Sequence, residues 1–122
     1  MSNVFRAHKE ENLNQSTRHF SSKQEAEVAK AIGGKVTANS GATMWQKGDL
    51  YTDNFLVECK TCVKEKKSFT IKEDWLTKAR QESLFMNKDY FALAFNFGPN
   101  KPNFYIIDED TFKEFLDYIR RD

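Results

Sequence analysis

The chain has 122 residues, which is enough for one domain around a single core. Eleven Phe, four Tyr and two Trp supply core material although 30% of the residues are charged, and the formal net charge is +1. No apolar run approaches the roughly 20 residues of a membrane helix, and the N-terminus lacks the apolar stretch of a signal peptide. The composition therefore predicts a cytoplasmic protein and excludes one that crosses a membrane by a helix.

The N-terminal part divides into an arm and a helix. Residues 1–20 are polar with scattered charge, which predicts a flexible arm before a single domain at 21–122. Ser22 and Glu25 have the spacing of a capping box, so we expect a helix to open here. Two glycines beginning at Gly33 predict its end.

A short hairpin follows. Residues 35–38 predict a strand, and a loop then leads to Asp49. Residues 50–51 extend, 52–54 turn and 55–60 extend again, which predicts two antiparallel strands.

The hairpin carries the pattern D-x(8)-E-x-K. Side chains alternate between the faces of a strand, so Glu58 and Lys60 share one face, and the hairpin brings Asp49 beside Glu58. Two carboxylates and an ammonium crowded together cost free energy unless a cation or phosphate occupies the site. The pattern predicts a divalent-metal phosphodiesterase site. The alternatives are that Asp49 only makes a turn, and that Glu58 and Lys60 form a solvated ion pair on an edge strand.

Charge is unevenly distributed in the second half. Residues 60–80 hold seven Lys and Arg against three acids, whereas 103–122 hold six acids against three bases. A basic stretch directly after the carboxylates suits an anionic polymer as partner. The alternative is a solvated, lysine-rich loop.

Cys59 and Cys62 form a C-x-x-C. A zinc site needs two more ligands, but the chain has no other Cys, and His8 and His19 lie in the polar arm. The residues after Cys62 lack the apolar stripe of a redox-motif helix. Cys59 is therefore expected to be a small core residue.

The remaining elements complete an α/β order. Thr70 and Glu73 repeat the capping-box spacing, which predicts a helix over 73–87. Its expected inward residues are Trp75, Leu76, Ala79 and Leu84.

The nearly continuous apolar run at 90–97 predicts a strand buried on both faces. A second strand over 103–107 and an amphipathic helix over 108–121 follow, the helix with Phe112, Phe115, Leu116 and Ile119 on its apolar side. The order α-β-β-β-α-β-β-α predicts a central mixed sheet flanked by helices.

Taken together, the acid-bearing first helix, Asp49 at a strand start and Glu58-x-Lys60 on the next strand resemble the PD-(D/E)XK nuclease superfamily over 22–97. Within it, the Asn39-Ser40-Gly41 loop resembles that of small archaeal and phage-type Holliday junction resolvases. One departure is Gly48, which precedes Asp49 where many members have Pro. The resemblance implies a restriction-endonuclease-like core in a bacterial, archaeal or phage-infected cell.

The resemblance also implies roles for single residues. Asp49 and Glu58 would bind Mg²⁺ or Mn²⁺, with the backbone carbonyl of Cys59 as a third ligand. Lys60 would orient the attacking water and stabilise charge in the transition state. Glu25 would lie across the site, holding a water on the metal or a second ion.

Glu27 is the alternative acid on this helix, because the capping box already accounts for Glu25. Residues expected to contact DNA lie in the loop after the first strand, in the basic stretch and on the second helix, with turn formation or plain solvation as their alternatives. They are Ser40, Thr43, Lys47, Lys64, Lys66, Lys67, Lys78 and Gln81.

The predicted function is a Mg²⁺-dependent DNA endonuclease selective for branched DNA, a Holliday junction resolvase that leaves a 5′-phosphate and a 3′-hydroxyl. A homodimer would supply the two sites that a four-way junction requires. Two alternatives stay open. One is a nuclease of the same fold acting on single-strand ends, flaps or a duplex site, and the other is an inactive nucleic-acid-binding module.

Overall fold

The computed structural model describes residues 19–37 and 49–121. The elements are α1 (19–32), β1 (Lys35–Val36), β2 (Leu50–Tyr51), β3 (Phe55–Lys60), α2 (Glu73–Phe85), β4 (Tyr90–Phe95), β5 (Phe104–Ile106) and α3 (Glu109–Arg120). Their order in the chain is the one predicted. None of the helices described is long and apolar enough to cross a membrane.

The five strands form one mixed sheet in the order β1-β2-β3-β4-β5. The β1–β2, β2–β3 and β4–β5 pairs are antiparallel, whereas β3 and β4 are parallel. Parallel neighbours need a crossover, and α2 provides it by packing against β3 and β4. The predicted α/β class, a mixed sheet with helices beside it, is confirmed.

The core lies where α1 meets the sheet. Val28 of α1 packs with Leu50, Val57, Ala92 and Ala94, all of them buried. Residues 91–94 are buried without a break, which confirms that β4 is covered on both faces. Odd-numbered side chains of β3 therefore face α1, which leaves the even-numbered ones for the opposite face.

The start of α1 differs from the prediction. Residues 19–22 are already helical, so Ser22 lies inside α1 and does not cap it. The last two residues of the predicted arm thus belong to the helix, and the rest of the arm lies outside the described residues. At the other end, Gly33 adopts a φ of 69°, and the N–H of Gly34 donates to Ala29 O at 2.8 Å. This left-handed glycine cap confirms the predicted end.

The second capping box is also wrong in detail. Helix α2 begins at Glu73 as expected, but its N-cap is Lys72 and no side chain caps it. The helix ends at Phe85, two residues early, and Asn87 then adopts a φ of 56°.

The inward face of α2 is shifted from the one expected. Ala79 is buried as predicted, but Leu84 is 69% exposed and Glu82 is buried instead. Spacings of four and seven residues from Trp75 reach Ala79 and Glu82, so the helical period itself puts Leu84 elsewhere.

Helix α3 has a side-chain cap at its start, but its apolar face is only partly covered. The side chain of its N-cap Asp108 accepts a hydrogen bond from the N–H of Thr111 at 2.9 Å. Its apolar face is largely open, with Phe112, Tyr118 and Ile119 each more than half exposed. The predicted amphipathic pattern is present in α3, but little of its apolar face is buried within the described chain.

Candidate active site

The β2–β3 hairpin sets the position of Asp49. Leu50 is the register partner of Val57, so the residue before it lies next to Glu58. Asp49 Oδ2 accepts the backbone N–H of Cys59 at 2.7 Å, and its backbone O accepts the N–H of Thr37 at 2.9 Å. The first bond attaches the carboxylate of Asp49 directly to the strand that carries Glu58 and Lys60, and the second joins its backbone to the residue after β1.

Glu58 lies in a cluster of carboxyl groups. Its carboxyl is close enough to those of Asp49 and Glu82 to interact with both. Burial has the largest effect on the pKa of Glu58, and the adjacent carboxyls of Glu82 and Asp49 add to it, so that together they raise this pKa to about 10. Burial also raises the pKa of Asp49, although the Cys59 N–H, the adjacent Glu58 carboxyl and the charge of Lys60 oppose this. The raised pKa values favour the protonated form of these carboxyls in the folded chain.

Lys60 lies two residues further along the same face of β3. Its Nζ is 4.3 Å from the centroid of the Trp75 ring, a cation–π contact with α2. Its positive charge lowers the pKa of Asp49. The structure therefore brings together Asp49, Glu58 and Lys60, the three residues of the sequence pattern.

Helix α1 approaches the site with the adjacent residues Gln24 and Glu25. Glu25 is half-buried, and burial together with the charge of Asp49 raises its pKa. Glu27, the alternative acid, is exposed. Of the two acids, Glu25 is therefore the one whose charge interacts with that of Asp49.

Gln24 was not predicted as part of the site and is 2% exposed. Its Nε2 donates to Lys60 O at 3.1 Å and to Asn103 Oδ1 at 3.2 Å, and its Oε1 accepts from Thr61 Oγ1 at 2.7 Å. This side chain fixes the end of β3, and with it the backbone of Lys60.

The two cysteines are free thiols, Cys62 buried and Cys59 half-buried against the core. Burial, with Asp49, Glu25 and Glu58 nearby, raises the pKa of the Cys59 thiol. A protonated thiol is a poor metal ligand and nucleophile, in keeping with the expected packing role. Its backbone carbonyl as a metal ligand stays a prediction.

The predicted DNA-contacting residues fall into three groups. Lys64, Lys66 and Lys67 are exposed, and the last two line a groove of about 360 Å³ together with Lys101 and Phe104.

Lys78 and Gln81 are exposed on α2. Ser40, Thr43 and Lys47 lie outside the described residues.

The donor set suits a hard divalent cation. Two adjacent carboxylates supply oxygen ligands, and such ions keep several waters. Within 19–37 and 49–121, however, no three His, Cys, Asp or Glu side chains are arranged to hold a metal ion directly. The residues fit a cation bound by one or two carboxylates and otherwise hydrated.

Glu82 and the Trp75–Lys60 contact are further features that sequence reasoning missed. The available signal was the spacing of seven residues, which places Trp75 and Glu82 on one face of α2.

Comparison with protein-family models, curated proteins and solved structures finds no match to this chain.

Proposed function

We propose that the chain is a Mg²⁺- or Mn²⁺-dependent DNA endonuclease of the PD-(D/E)XK type, selective for branched DNA. The observation that carries the proposal is the convergence of Asp49, Glu58 and Lys60 at one end of the β2–β3 hairpin. A stable fold gains nothing from burying adjacent carboxyl groups, whereas a cation site requires them.

In this reaction Asp49 and Glu58 would hold the cation. A bound Mg²⁺ or Mn²⁺ lowers the pKa of water and neutralises charge on the scissile phosphate. The Cys59 N–H fixes one oxygen of Asp49, so the orientation of this carboxylate is set before any ligand arrives. Glu25 would face the site from α1 and accept a hydrogen bond from water there.

Lys60 would stabilise the negative charge that develops on the phosphate oxygens and orient the attacking water. The Trp75 ring holds its ammonium 4.3 Å away without neutralising it, whereas a salt bridge would cancel the charge. Gln24 holds the backbone of the same residue. Lys60 is thus positioned from both sides of the sheet by residues that leave its charge available.

The substrate would approach along the exposed basic segment after β3. Lys66 and Lys67 border a groove there, and Lys78 is exposed on α2. Contacts of this kind bind the phosphate backbone without reading base sequence, which suits an enzyme that recognises the shape of branched DNA.

A second copy of the chain would cover the open face of α3. Tyr118 and Ile119 are 73% and 70% exposed, too apolar to favour water. Glu109 in the first turn and Arg120 in the last turn have opposite charges, so an antiparallel pairing of two α3 helices matches acid to base at both ends. The resulting two-fold dimer presents two active sites to one junction.

We expect the purified full-length chain to cleave a synthetic four-way junction with Mg²⁺ or Mn²⁺ and not with EDTA. On a supercoiled plasmid with an extruded cruciform, a dimer makes both cuts in one encounter, so linear product should appear without accumulation of nicked circles. Nicking alone would contradict the dimer.

The same assay separates the alternatives. Linear duplex, flap and single-stranded substrates of the same sequence serve as controls. Cleavage of these at the junction rate would support a nuclease of another specificity. Binding of DNA without cleavage of any substrate at saturating metal would instead indicate an inactive module and overturn the proposal.

A further inference from the structure

Glu82 is a buried acid without a structural reason for its position. It is 6% exposed, and its Oε2 has no hydrogen-bond partner among the described residues. A carboxyl group is almost never buried unless it is paired, and an unsatisfied buried acceptor costs about 1–3 kcal/mol.

No cation of the described chain compensates Glu82. The ion pairs in that part of the chain join Arg80 to Asp108 and Lys101 to Glu65. The groups that face Glu82 are the carboxyls of Glu58 and Asp49, and the charge of Glu82 affects the pKa of both. Among the described residues Oε2 is thus left to accept a hydrogen bond from something that the site binds.

The position of Glu82 on α2 also indicates a role in binding at the site. Trp75, Ala79 and Glu82 share the inner face of this helix, where an apolar residue would pack against the sheet at no electrostatic cost. Departures from local rules of this kind concentrate at functional sites. Trp75 on the same face contacts Lys60, so one helix face touches both halves of the E-x-K pattern.

We propose that Glu82 is a positioning residue of the cation site, whose Oε2 accepts a hydrogen bond from the water around the ion. The inference rests on the proposed function. An ionised carboxylate is purely an acceptor, and water around a divalent ion is a strong donor. Direct ligation by three carboxyls is not what the described residues show, and Mg²⁺ keeps several waters, so a hydrogen bond through water fits both facts.

The test is the affinity of the full-length chain for Mn²⁺ alone, measured by calorimetry and by the electron paramagnetic resonance signal of free Mn²⁺. Glu82→Gln keeps the size and removes the charge. We expect its dissociation constant to rise about 10- to 100-fold, the usual cost of losing an outer partner of a metal site. Glu73→Gln, the same change at an exposed position of α2, should leave the affinity unchanged.

Glu82→Met provides a second variant, because it fills the buried position with an apolar side chain and should lose affinity to the same extent. Circular dichroism establishes that each variant is folded before binding is measured. Affinity within about twofold of the wild type in the folded variant or variants would overturn the inference. If the wild type cleaves DNA while Glu82→Gln binds Mn²⁺ normally, the proposed role of Glu82 is rejected and the nuclease proposal is retained. If the wild type binds Mn²⁺ and cleaves no DNA, the nuclease proposal falls and the affinity difference still decides Glu82.

Discussion

Asp49→Asn is expected to lower the rate of junction cleavage by at least about 100-fold, since losing even an outer partner of a metal site costs 10- to 100-fold. The variant should stay folded, because the Asn carbonyl can still accept the Cys59 N–H that Asp49 Oδ2 accepts at 2.7 Å. DNA binding should persist or become tighter, since a negative charge near the phosphate is removed. Single-turnover cleavage and a gel-shift assay measure the two effects separately.

The matched control is Asp53→Asn, the same chemical change at an exposed position in the turn of the same hairpin. It should cleave at the wild-type rate. Wild-type cleavage by Asp49→Asn would remove this carboxylate from the mechanism. Loss of cleavage in both variants would mean that the hairpin fold, and not the charge, had been tested.

The second large effect concerns the stability of the metal-free protein. The pKa of Glu58 is about 10 in the folded chain against an ordinary value of 4.5. The folded state therefore keeps a proton that the unfolded chain releases between these values. The free energy of unfolding should fall as pH rises through this window, by at most about 1.4 kcal/mol per pH unit for one proton. The raised pKa values of Asp49 and Glu25 act in the same direction, and the charge of Lys60 opposes the shift at Asp49.

Glu58→Gln should reduce this pH dependence, because a neutral amide has no proton to lose. At about pH 8 and without metal, we expect the variant to exceed the wild type in free energy of unfolding by at least about 1 kcal/mol while losing cleavage. Urea unfolding in EDTA over a series of pH values measures the effect. Exposed Glu27, changed to Gln, is the control on α1 and should keep the wild-type slope. A wild-type stability that does not fall with pH, or a Glu58→Gln variant less stable than wild type, would contradict the account.

The part of the site that the sequence predicts is the part set by local geometry. Alternation along one strand and a three-residue turn suffice to bring Asp49 beside Glu58 and to put Lys60 on the same face, and the register confirms both the hairpin and the central strand β4. No distant contact is needed for that placement. Local geometry alone therefore brings Asp49, Glu58 and Lys60 into one cluster.

Contacts between distant elements were not predictable in this way. Gln24 and Glu25 are adjacent on α1, and which of them contacts the end of β3 depends on how the helix packs. Glu82 lies beside Glu58 although the two residues are 24 positions apart in the sequence. Its burial is not expected from its residue type, because acidic side chains usually remain exposed. The exposure of Leu84 has a different, local cause, because the helical period from Trp75 puts Leu84 on another face of α2.

The capping boxes show a further limit of local reasoning. Ser22 and Thr70 have the right spacing to their acids, yet α1 is already helical at residue 19, and Lys72 occupies the N-cap position of α2 without a side-chain cap. A capping box acts only at the first turn of a helix, and packing against the rest of the chain determines at which residue the helix begins. The boundaries therefore shifted although the elements themselves were correct.

The most direct test of the account is a crystal structure of the full-length chain grown with Mn²⁺, with anomalous diffraction to locate the ion. We expect one Mn²⁺ bound by carboxylate oxygens of Asp49 and Glu58 at about 2.1 Å, with Lys60 beside it. Saturating Mn²⁺ that leaves this cluster empty, or that binds elsewhere on the chain, would contradict the central claim.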